Sequence, residues 1–526
     1  MTATPLPSGS LRATSLNAGR RAKELEALAG GEVVDVLVIG GGVTGAGTAL
    51  DAASRGLSVA LVEAHDLAFG TSRWSSKLVH GGLRYLAHGE VGLAHESAVE
   101  RGLLMTRTAP HLVRALPQLI PLHARTRSGG GISRASESVL HAGLLAGDAL
   151  RRAARTPSSV LPGPRRVPIA EAVALAPGLR RAGLRGGLLS FDGQLVDDAR
   201  LVVTLARTAA GFGARILTRV RAVSVTGDGA QVRDELTGAS FDIRAKAVVN
   251  AAGVWADQVV DGVRLRPSRG SHLVLSAADL GITGTALTVP VPGERNRYVL
   301  VLPQADGRVY LGLTDEPVSS PVPDVPEVPE SDVDFLLGVA SSVLERPIGR
   351  EHVIGSFAGM RPLIDSADAK TADISRKHAV LTSRDGVVTV VGGKLTTYRR
   401  MAADAVDAVA RQRDLHCGES RTTRIPLVGS APAAYLSIVD APATLVARYG
   451  AEAPRINALT EFDGELAEEV AAGVSAAEVV WSVRHEGALN ADDVLDRRTR
   501  VGLVPADRAA AKDGVESLVR RALEGV

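Results

Sequence analysis

Residues 33–39 read Val-Val-Asp-Val-Leu-Val-Ile, a nearly continuous β-branched run. Such a run suits a strand buried on both faces of a parallel sheet. A glycine turn at 40–42 leads into an alanine-rich helix to about Arg55, and a second apolar run at 58–63 ends on Glu63. Strand, helix and strand in that order form a βαβ unit and predict a doubly wound start. Ahead of it, 1–14 is rich in Pro, Ser and Thr and predicts disorder, and 17–28 predicts a short helix stopped by Gly30 and Gly31.

Farther along, the pattern predicts helices over 95–115, 137–151, 197–210 and 331–344, with little periodicity elsewhere in 116–190. Alternating runs predict strands at 214–217, 221–226, 230–236 and 241–243, and 246–250 reads as a strand entering a glycine turn. The stretch 265–315 is β-rich, including 298–302 and 309–313, and the prolines of 317–331 predict a loop. A strand at 387–391 enters Gly392-Gly393-Lys394, and a helix follows to about Arg411. After a polar connector at 412–433, the tail from 434 reads as helical throughout, and no internal repeat stands out.

Composition narrows the class. A chain of 526 residues predicts two or three domains. The formal net charge of +2 leaves no global field to attract nucleic acid, which argues against an RNA-binding protein. The single cysteine, Cys417, excludes an internal disulfide, a cysteine-based zinc site and an iron–sulfur cluster. That fits a reducing compartment and leaves two-electron chemistry to an organic cofactor. No basic segment followed by an apolar one opens the chain, so no secretory signal is expected. No apolar run of about 18 residues predicts a transmembrane helix.

Gly40-x-Gly42-x-x-Gly45 follows a strand and opens a helix. The first glycine permits the tight turn, the second lets a pyrophosphate approach, and the third allows close helix–strand packing. The helix N-terminus offers N–H groups and positive dipole to the phosphates, and Glu63 stands where an acid holds the ribose hydroxyls. Three spaced features favour FAD over a nicotinamide cofactor: this fingerprint, Asn250-Ala251-Ala252-Gly253-Val254-Trp255, and Gly392-Gly393-Lys394-Leu395-Thr396-Thr397. They imply a cofactor enclosed by distant segments. A further stretch, Ser75-Ser76-Lys77-Leu78-Val79-His80-Gly81-Gly82-Leu83-Arg84-Tyr85-Leu86, sets a cation, a phenol and an imidazole beside two glycines. Thr71, Ser72 and Ser76 are candidate hydroxyl donors to phosphate or flavin.

Taken with Val38–Gly42, Asp197–Leu201, Arg269-Gly270-Ser271-His272, Gly359-Met360-Arg361-Pro362-Leu363 and Gly392–Arg399, this stretch resembles the FAD-dependent glycerol-3-phosphate dehydrogenases, in the family's order. The resemblance spans roughly 33–412, and the helical tail is similar too. It implies an α/β fold with an FAD-binding, Rossmann-like domain of the glutathione-reductase type, a β-rich substrate domain and a C-terminal all-helical domain. The expected boundaries are 1–32 for an extension, 33–115, 191–265 and 350–412 for FAD, 116–190 and 266–349 for substrate, and 413–526 for the tail.

It further implies oxidation of sn-glycerol 3-phosphate to dihydroxyacetone phosphate, with the C2 hydride going to flavin N5 and the electrons to a membrane quinone. Arg84, Tyr85, Arg361, Arg376 and Lys394 then form the phosphate site, with Thr314 and Asp315 nearby; the chain has Leu313 where the family commonly has a second Thr. His272 is the preferred proton acceptor, His80 the other candidate, and Arg361 and Lys394 carry charge for the reaction. Gly40, Gly42, Gly45, Glu63, Thr71, Ser72, Ser76, Lys77, Gly81, Gly82, Gly253, Trp255, Gly392, Gly393, Lys394, Leu395 and Thr396 are the expected FAD contacts, non-covalent because Cys417 lies outside every motif.

Delivery of electrons to a quinone requires reaching a bilayer without crossing it, which implies a cytoplasmic protein peripheral on the inner face of the cell membrane. Residues 137–151 carry an apolar face and a basic flank at Arg151, Arg152 and Arg155, which suits an interfacial helix or a core-facing helix with a solvated end. The alternatives are an oxidase reducing O2 to peroxide on the same substrate, or a hydroxy-acid or amino-acid oxidoreductase of the same fold. The number of cations committed argues against a lone carboxylate substrate. A homodimer is left open.

Overall fold

The computed structural model describes residues 10–82, 86, 89–124, 131–294, 297–318, 321–365, 377–471 and 473–525. Among the described residues, six strands of an eight-stranded sheet run in the order Ala379–Thr382, Val388–Val391, Ser240–Asn250, Val33–Ile39, Val59–Glu63, Arg215–Thr218, and the other two, Val220–Thr226 and Gly229–Asp234, branch off Ser240–Asn250. Val33–Ile39 pairs in parallel with Ser240–Asn250 (Ile39 opposite Asn250) and with Val59–Glu63 (Ile39 opposite Val62). Val36, Leu37 and Val38 are wholly buried, as a β-branched strand at the centre of a covered sheet must be. Helices Val43–Ser54, Asp198–Gly211 and Tyr398–Gln412 supply the core on one face. On the other, Leu28 of helix Ala18–Ala29 packs with Val220 and Val232 of the hairpin strands Val220–Thr226 and Gly229–Asp234.

Among the described residues the second sheet has ten strands, eight of them ordered Glu316–Pro317, Ser268–Ser276, Arg308–Gly312, Tyr298–Pro303, Ala286–Pro290, Val113–His123, Leu184–Leu195, Leu78–Val79, with Arg165–Val167 added along Leu184–Leu195. Gly355–Arg361 also pairs with Ser268–Ser276, setting Ser268 opposite Arg361 and His272 opposite Phe357. Helices Ile169–Leu175 and Glu330–Ser341 contribute to its core.

Several sequence expectations change here. The helix expected over 95–115 is Val91–Leu103 with a π-turn Leu104–Thr108, and 113–115 belong to the strand Val113–His123. That strand and Leu184–Leu195 pair along most of their length within the stretch that lacked periodicity. Pro117 and Pro121 hid the first, yet its second neighbour pairs only at Gln118 and Leu119, beside the prolines. Gly187 and Gly193 hid the other; a Cβ at either would lie 2.4 Å from Leu119 Cδ1 or Val79 Cγ2 respectively, so sheet packing requires glycine there.

The runs at 241–243 and 246–250 form one strand, Ser240–Asn250, in which Arg244 and Lys246 alternate outward. The sheet boundaries also move. Leu78–Val79, Leu184–Leu195 and Gly355–Arg361 all sit in the ten-stranded sheet, although 33–115, 191–265 and 350–412 were expected to build the FAD domain. Long-range pairing, which local pattern does not encode, decides their membership.

The tail packs Val479 and Val483 of helix Ala476–His485 against Val515 and Val519 of helix Pro505–Leu523. It also contains a two-stranded hairpin, Glu469–Ala471 with Val474–Ser475, so it is not all helical. Buried ion pairs join it to the rest: Arg200 with Glu486, Arg207 with Glu452, and Asp66 with Arg497 and Arg498.

Candidate active site

The glycine turn is built as the fingerprint requires. Gly40 has φ 107°, and a Cβ there would lie 2.7 Å from the Ala251 carbonyl oxygen. A Cβ on Gly45 would lie 1.8 Å from the Gly40 carbonyl oxygen, so helix Val43–Ser54 approaches the turn as only glycine allows. At the mouth of that helix the Val43 N–H donates to Ser72 Oγ at 2.9 Å. Thr71 Oγ1 donates to the Met360 carbonyl at 2.5 Å, tying this loop to the second sheet.

Glu63 accepts the Gly41 N–H at 2.6 Å and the His65 N–H at 2.8 Å. Burial raises its carboxyl above the ordinary range against the opposing pull of those two N–H donors. Gly253, Gly392 and Gly393 all adopt positive φ, and a Cβ on Gly393 would meet Met401 Sδ at 2.5 Å. These backbone approaches, the open helix N-terminus and the carboxylate fit a dinucleotide, and they fit FAD because segments from three distant parts of the chain enclose the same cleft.

That cleft has a volume of 1760 Å³. Of the expected FAD contacts, Gly40, Gly42, Glu63, Thr71, Ser72, Ser76, Gly81, Gly82, Gly253, Trp255, Gly392, Gly393, Lys394, Leu395 and Thr396 line it. Gly45 lies beneath the turn, where it governs helix packing. Lys77 is turned away: 1% exposed, its Nζ donates to Asp198 Oδ1 at 2.9 Å and to the Arg73 carbonyl at 2.9 Å. The sequence places a lysine in the motif but does not show that a buried aspartate waits 121 residues later.

The cleft continues to His272, Arg361, Thr314, Asp315 and Lys394. Arg361 donates to Asp315 Oδ1 and the Thr314 carbonyl, each at 3.1 Å, and Ser268 Oγ donates to the same Asp315 oxygen at 2.5 Å. Thr314 Oγ1 donates to Asp332 Oδ2 at 3.1 Å and accepts the Ser271 N–H at 3.0 Å. Arg84, Tyr85 and Arg376 lie outside the described residues.

His272 Nε2 and Ser76 Oγ are 2.8 Å apart, and the imidazole stacks on Phe357 with centroids 4.7 Å apart. Burial, then the cations Lys77 and Arg361, push its pKa down to about 3, so this histidine is neutral near pH 7.

Sequence reasoning missed Asp192. It accepts from Arg101 Nη1 at 2.7 Å and from the Gly81 N–H at 3.2 Å, and lies 3.4 Å from His80 Nδ1. Burial works to raise its carboxyl, but Arg101 and His80 overcome it and hold the pKa down to about 2. The His80 N–H donates to Thr396 Oγ1 at 3.1 Å, which ties the 75–86 stretch to the 392–397 stretch. Asp192 sits within a strand and belongs to no motif; its place follows from the pairing of Val79 with Gly193.

Beyond the polar end, the cleft reaches helix Arg134–Ala153, whose buried residues are Leu144, Asp148 and Arg151. One face does meet the core, where Leu144 and Leu140 pack with Ile120, Leu122, Ile132 and Leu188, while Val139, 71% exposed, and Leu145 face outward. The expected basic flank is also reduced, because Arg151 turns inward to Asp148 at 2.6 Å. No helix among the described residues is long and apolar enough to cross a membrane.

Residues 35–399 match the family model of FAD dependent oxidoreductases, and 420–524 match the C-terminal domain of alpha-glycerophosphate oxidase. The chain is 55% identical over 504 residues to glycerol-3-phosphate dehydrogenase 1 of Mycobacterium tuberculosis, covering 94% of this chain and 96% of that protein. It is 37% identical to glycerol-3-phosphate dehydrogenase 2 of the same organism, covering 93% of this chain and 85% of that one. The glycerol-3-phosphate dehydrogenase of Bacillus halodurans, solved with FAD, superposes with a TM-score of 0.72 at 26% identity and 97% coverage of both chains. The chain belongs to the FAD-dependent glycerol-3-phosphate dehydrogenase family.

Proposed function

We propose that this protein oxidises sn-glycerol 3-phosphate to dihydroxyacetone phosphate and passes the electrons to a quinone at a membrane surface. The observation that carries the reading is that Arg361, Lys394, His272 and His80 share one cleft with the dinucleotide cradle. The glycine turn, Glu63, Ser72 and the 392–396 segment would hold FAD, which would supply the acceptor for the hydride that leaves C2.

The chain's own residues do the rest. A phosphate dianion calls for several charge-assisted donors. Arg361, steadied by Asp315 and the Thr314 carbonyl, offers one fork, and Lys394 adds a second cation. Arg84, Tyr85 and Arg376 complete the set on the family resemblance. A neutral imidazole can accept the hydroxyl proton of the substrate, and the Ser76 hydroxyl bonded to His272 Nε2 gives that proton a path. Burial is the main cause of the low pKa of His272, and an arriving phosphate dianion at Arg361 offsets only part of the smaller cationic contribution. His80, backed by Asp192, is the second proton-accepting position.

Exposed Val139 and Leu145 on a helix bordering the same cleft support an apolar acceptor and contact with a bilayer surface, hence a peripheral place on the inner face of the cell membrane. The test is anaerobic mixing of the holoprotein with sn-glycerol 3-phosphate while following the visible flavin absorbance. Bleaching is expected, and its absence sinks the reading. The match of 420–524 to an oxidase domain favours one alternative, in which oxygen is the acceptor. Turnover with oxygen alone against turnover with a soluble quinone decides between them; faster turnover with quinone is expected.

A further inference from the structure

The loop between Glu63 and Ser76 bears on the cofactor cradle from one side and on the C-terminal domain from the other. Toward the cradle, the Ala68 N–H donates to the Gly41 carbonyl at 3.0 Å, and Ser72 Oγ accepts the Val43 N–H at the helix mouth. Ala68 holds φ 61°, a left-handed conformation that a non-glycine residue keeps only where its surroundings enforce it. Toward the tail, the neighbouring Asp66 is wholly buried. Its Oδ2 accepts from Arg497 Nε at 2.7 Å and Arg498 Nη1 at 2.8 Å, and its Oδ1 from Arg498 Nη2 at 2.9 Å.

We propose that Arg497 and Arg498 of the C-terminal domain, acting through Asp66, are positioning residues for the FAD site, so that the tail domain sets cofactor affinity. The fork of Arg498 is aimed before any ligand arrives, because its Nε and Nη2 also donate to the Glu486 carbonyl at 3.1 and 2.9 Å. Arg497 is steadied by Asp493, 2.6 Å away. Burial works to raise the Asp66 carboxyl, and the two guanidinium groups hold it down to about 2, so the aspartate is charged throughout the working range. A planar bidentate pair of this kind fixes orientation as well as distance. It therefore fixes the backbone at Asp66, two residues from the Ala68 N–H that grips the glycine turn. The family resemblance alone assigns the tail no part in the flavin site. The inference rests on FAD occupying this cleft, and not on the identity of the substrate.

The test is a double-mutant cycle on FAD affinity, read by the fluorescence of free FAD titrated into apoprotein. Asp66→Asn, Arg498→Met and the double variant are compared with Val515→Ala, which creates a cavity in the tail core without touching Asp66. All are measured at a temperature where circular dichroism shows each folded. Asp66→Asn and Arg498→Met are each expected to raise the Kd for FAD at least tenfold, the double variant no further than the worse single one. Val515→Ala is expected to leave Kd within twofold despite a lower Tm. Equal FAD affinity in all four variants, or a loss in Val515→Ala matching that in Arg498→Met, overturns the proposal. Should Asp66→Asn fail to fold, Arg498→Lys keeps a charge but loses the fork, and an unchanged FAD affinity in it counts against the proposal. Flavin bleaching by sn-glycerol 3-phosphate in the wild-type holoprotein separates failure of this inference from failure of the proposed reaction.

Discussion

Ser76 Oγ and His272 Nε2 meet at 2.8 Å across 196 residues of sequence, at the polar end of the flavin cleft. The hydroxyl comes from the stretch leading to strand Leu78–Val79 and the imidazole from the middle of strand Ser268–Ser276, so two distant segments build the contact. The cations acting on that imidazole are Lys77 and Arg361.

His272 carries a pH signature. Its pKa is 6.5 in an ordinary setting and about 3 in the fold. As pH falls from 6.5 toward 3, the unfolded chain takes up a proton that the folded one refuses, and stability is lost over that window. His272→Gln removes this loss. The denaturant midpoint of wild type should fall relative to the variant on going from pH 7 to pH 5. Parallel pH profiles would show that His272 titrates normally.

Arg361→Ala should raise the KM for sn-glycerol 3-phosphate. A charge-assisted contact to phosphate is worth about 2 kcal/mol, or about 30-fold in affinity. FAD content, read from the visible spectrum, should be unchanged, since the bonds described for Arg361 run to Asp315, the Thr314 carbonyl and Ser268. Steady-state kinetics at saturating acceptor measure both; an unchanged KM removes Arg361 from the phosphate site.

Asp192→Asn tests the support under His80. Arg101 and His80 lower this carboxyl from 3.8 to about 2 in the fold, against burial. A depressed aspartate contributes stability above its unfolded pKa and loses it as pH drops through the folded one. The contribution is about 2 kcal/mol at neutral pH. The variant should therefore unfold at lower denaturant concentration at pH 7, with the gap closing between pH 4 and pH 2. A gap that stays constant with pH would assign the loss to packing.

Lys77→Met leaves Asp198 buried without its partner, and such a break costs about 3–5 kcal/mol. Removing both charges in Lys77→Met/Asp198→Asn should recover a large part of that loss, because the desolvation of the pair is removed as well. Thermal melting of the wild type, Lys77→Met, Asp198→Asn and the double variant measures the coupling. A double-variant loss equal to the sum of the two single losses would mean that the two charges are not coupled.

The sequence by itself determined the first βαβ unit, the glycine turn and its acid, because each depends on residues close in the chain. Val33–Ile39 reads as a covered strand, and glycine is needed at 45, where a Cβ would lie 1.8 Å from the Gly40 carbonyl oxygen. It also marked His272, Arg361 and Lys394 as candidates, and the fold brings the three to one cleft. The tertiary structure decided which sheet each strand joins. Gly355–Arg361 follows long-range pairing with Ser268–Ser276, and Val113–His123 is a strand despite its prolines because a second long strand lies alongside. The structure alone decided the partners of buried charges. Lys77 faces Asp198 rather than the cofactor, and Asp192 and Asp66 gain their roles from arginines 91 and more than 400 residues away. Burying a charge is tolerable only with a partner in place, and a chain does not reveal that partner until it has folded.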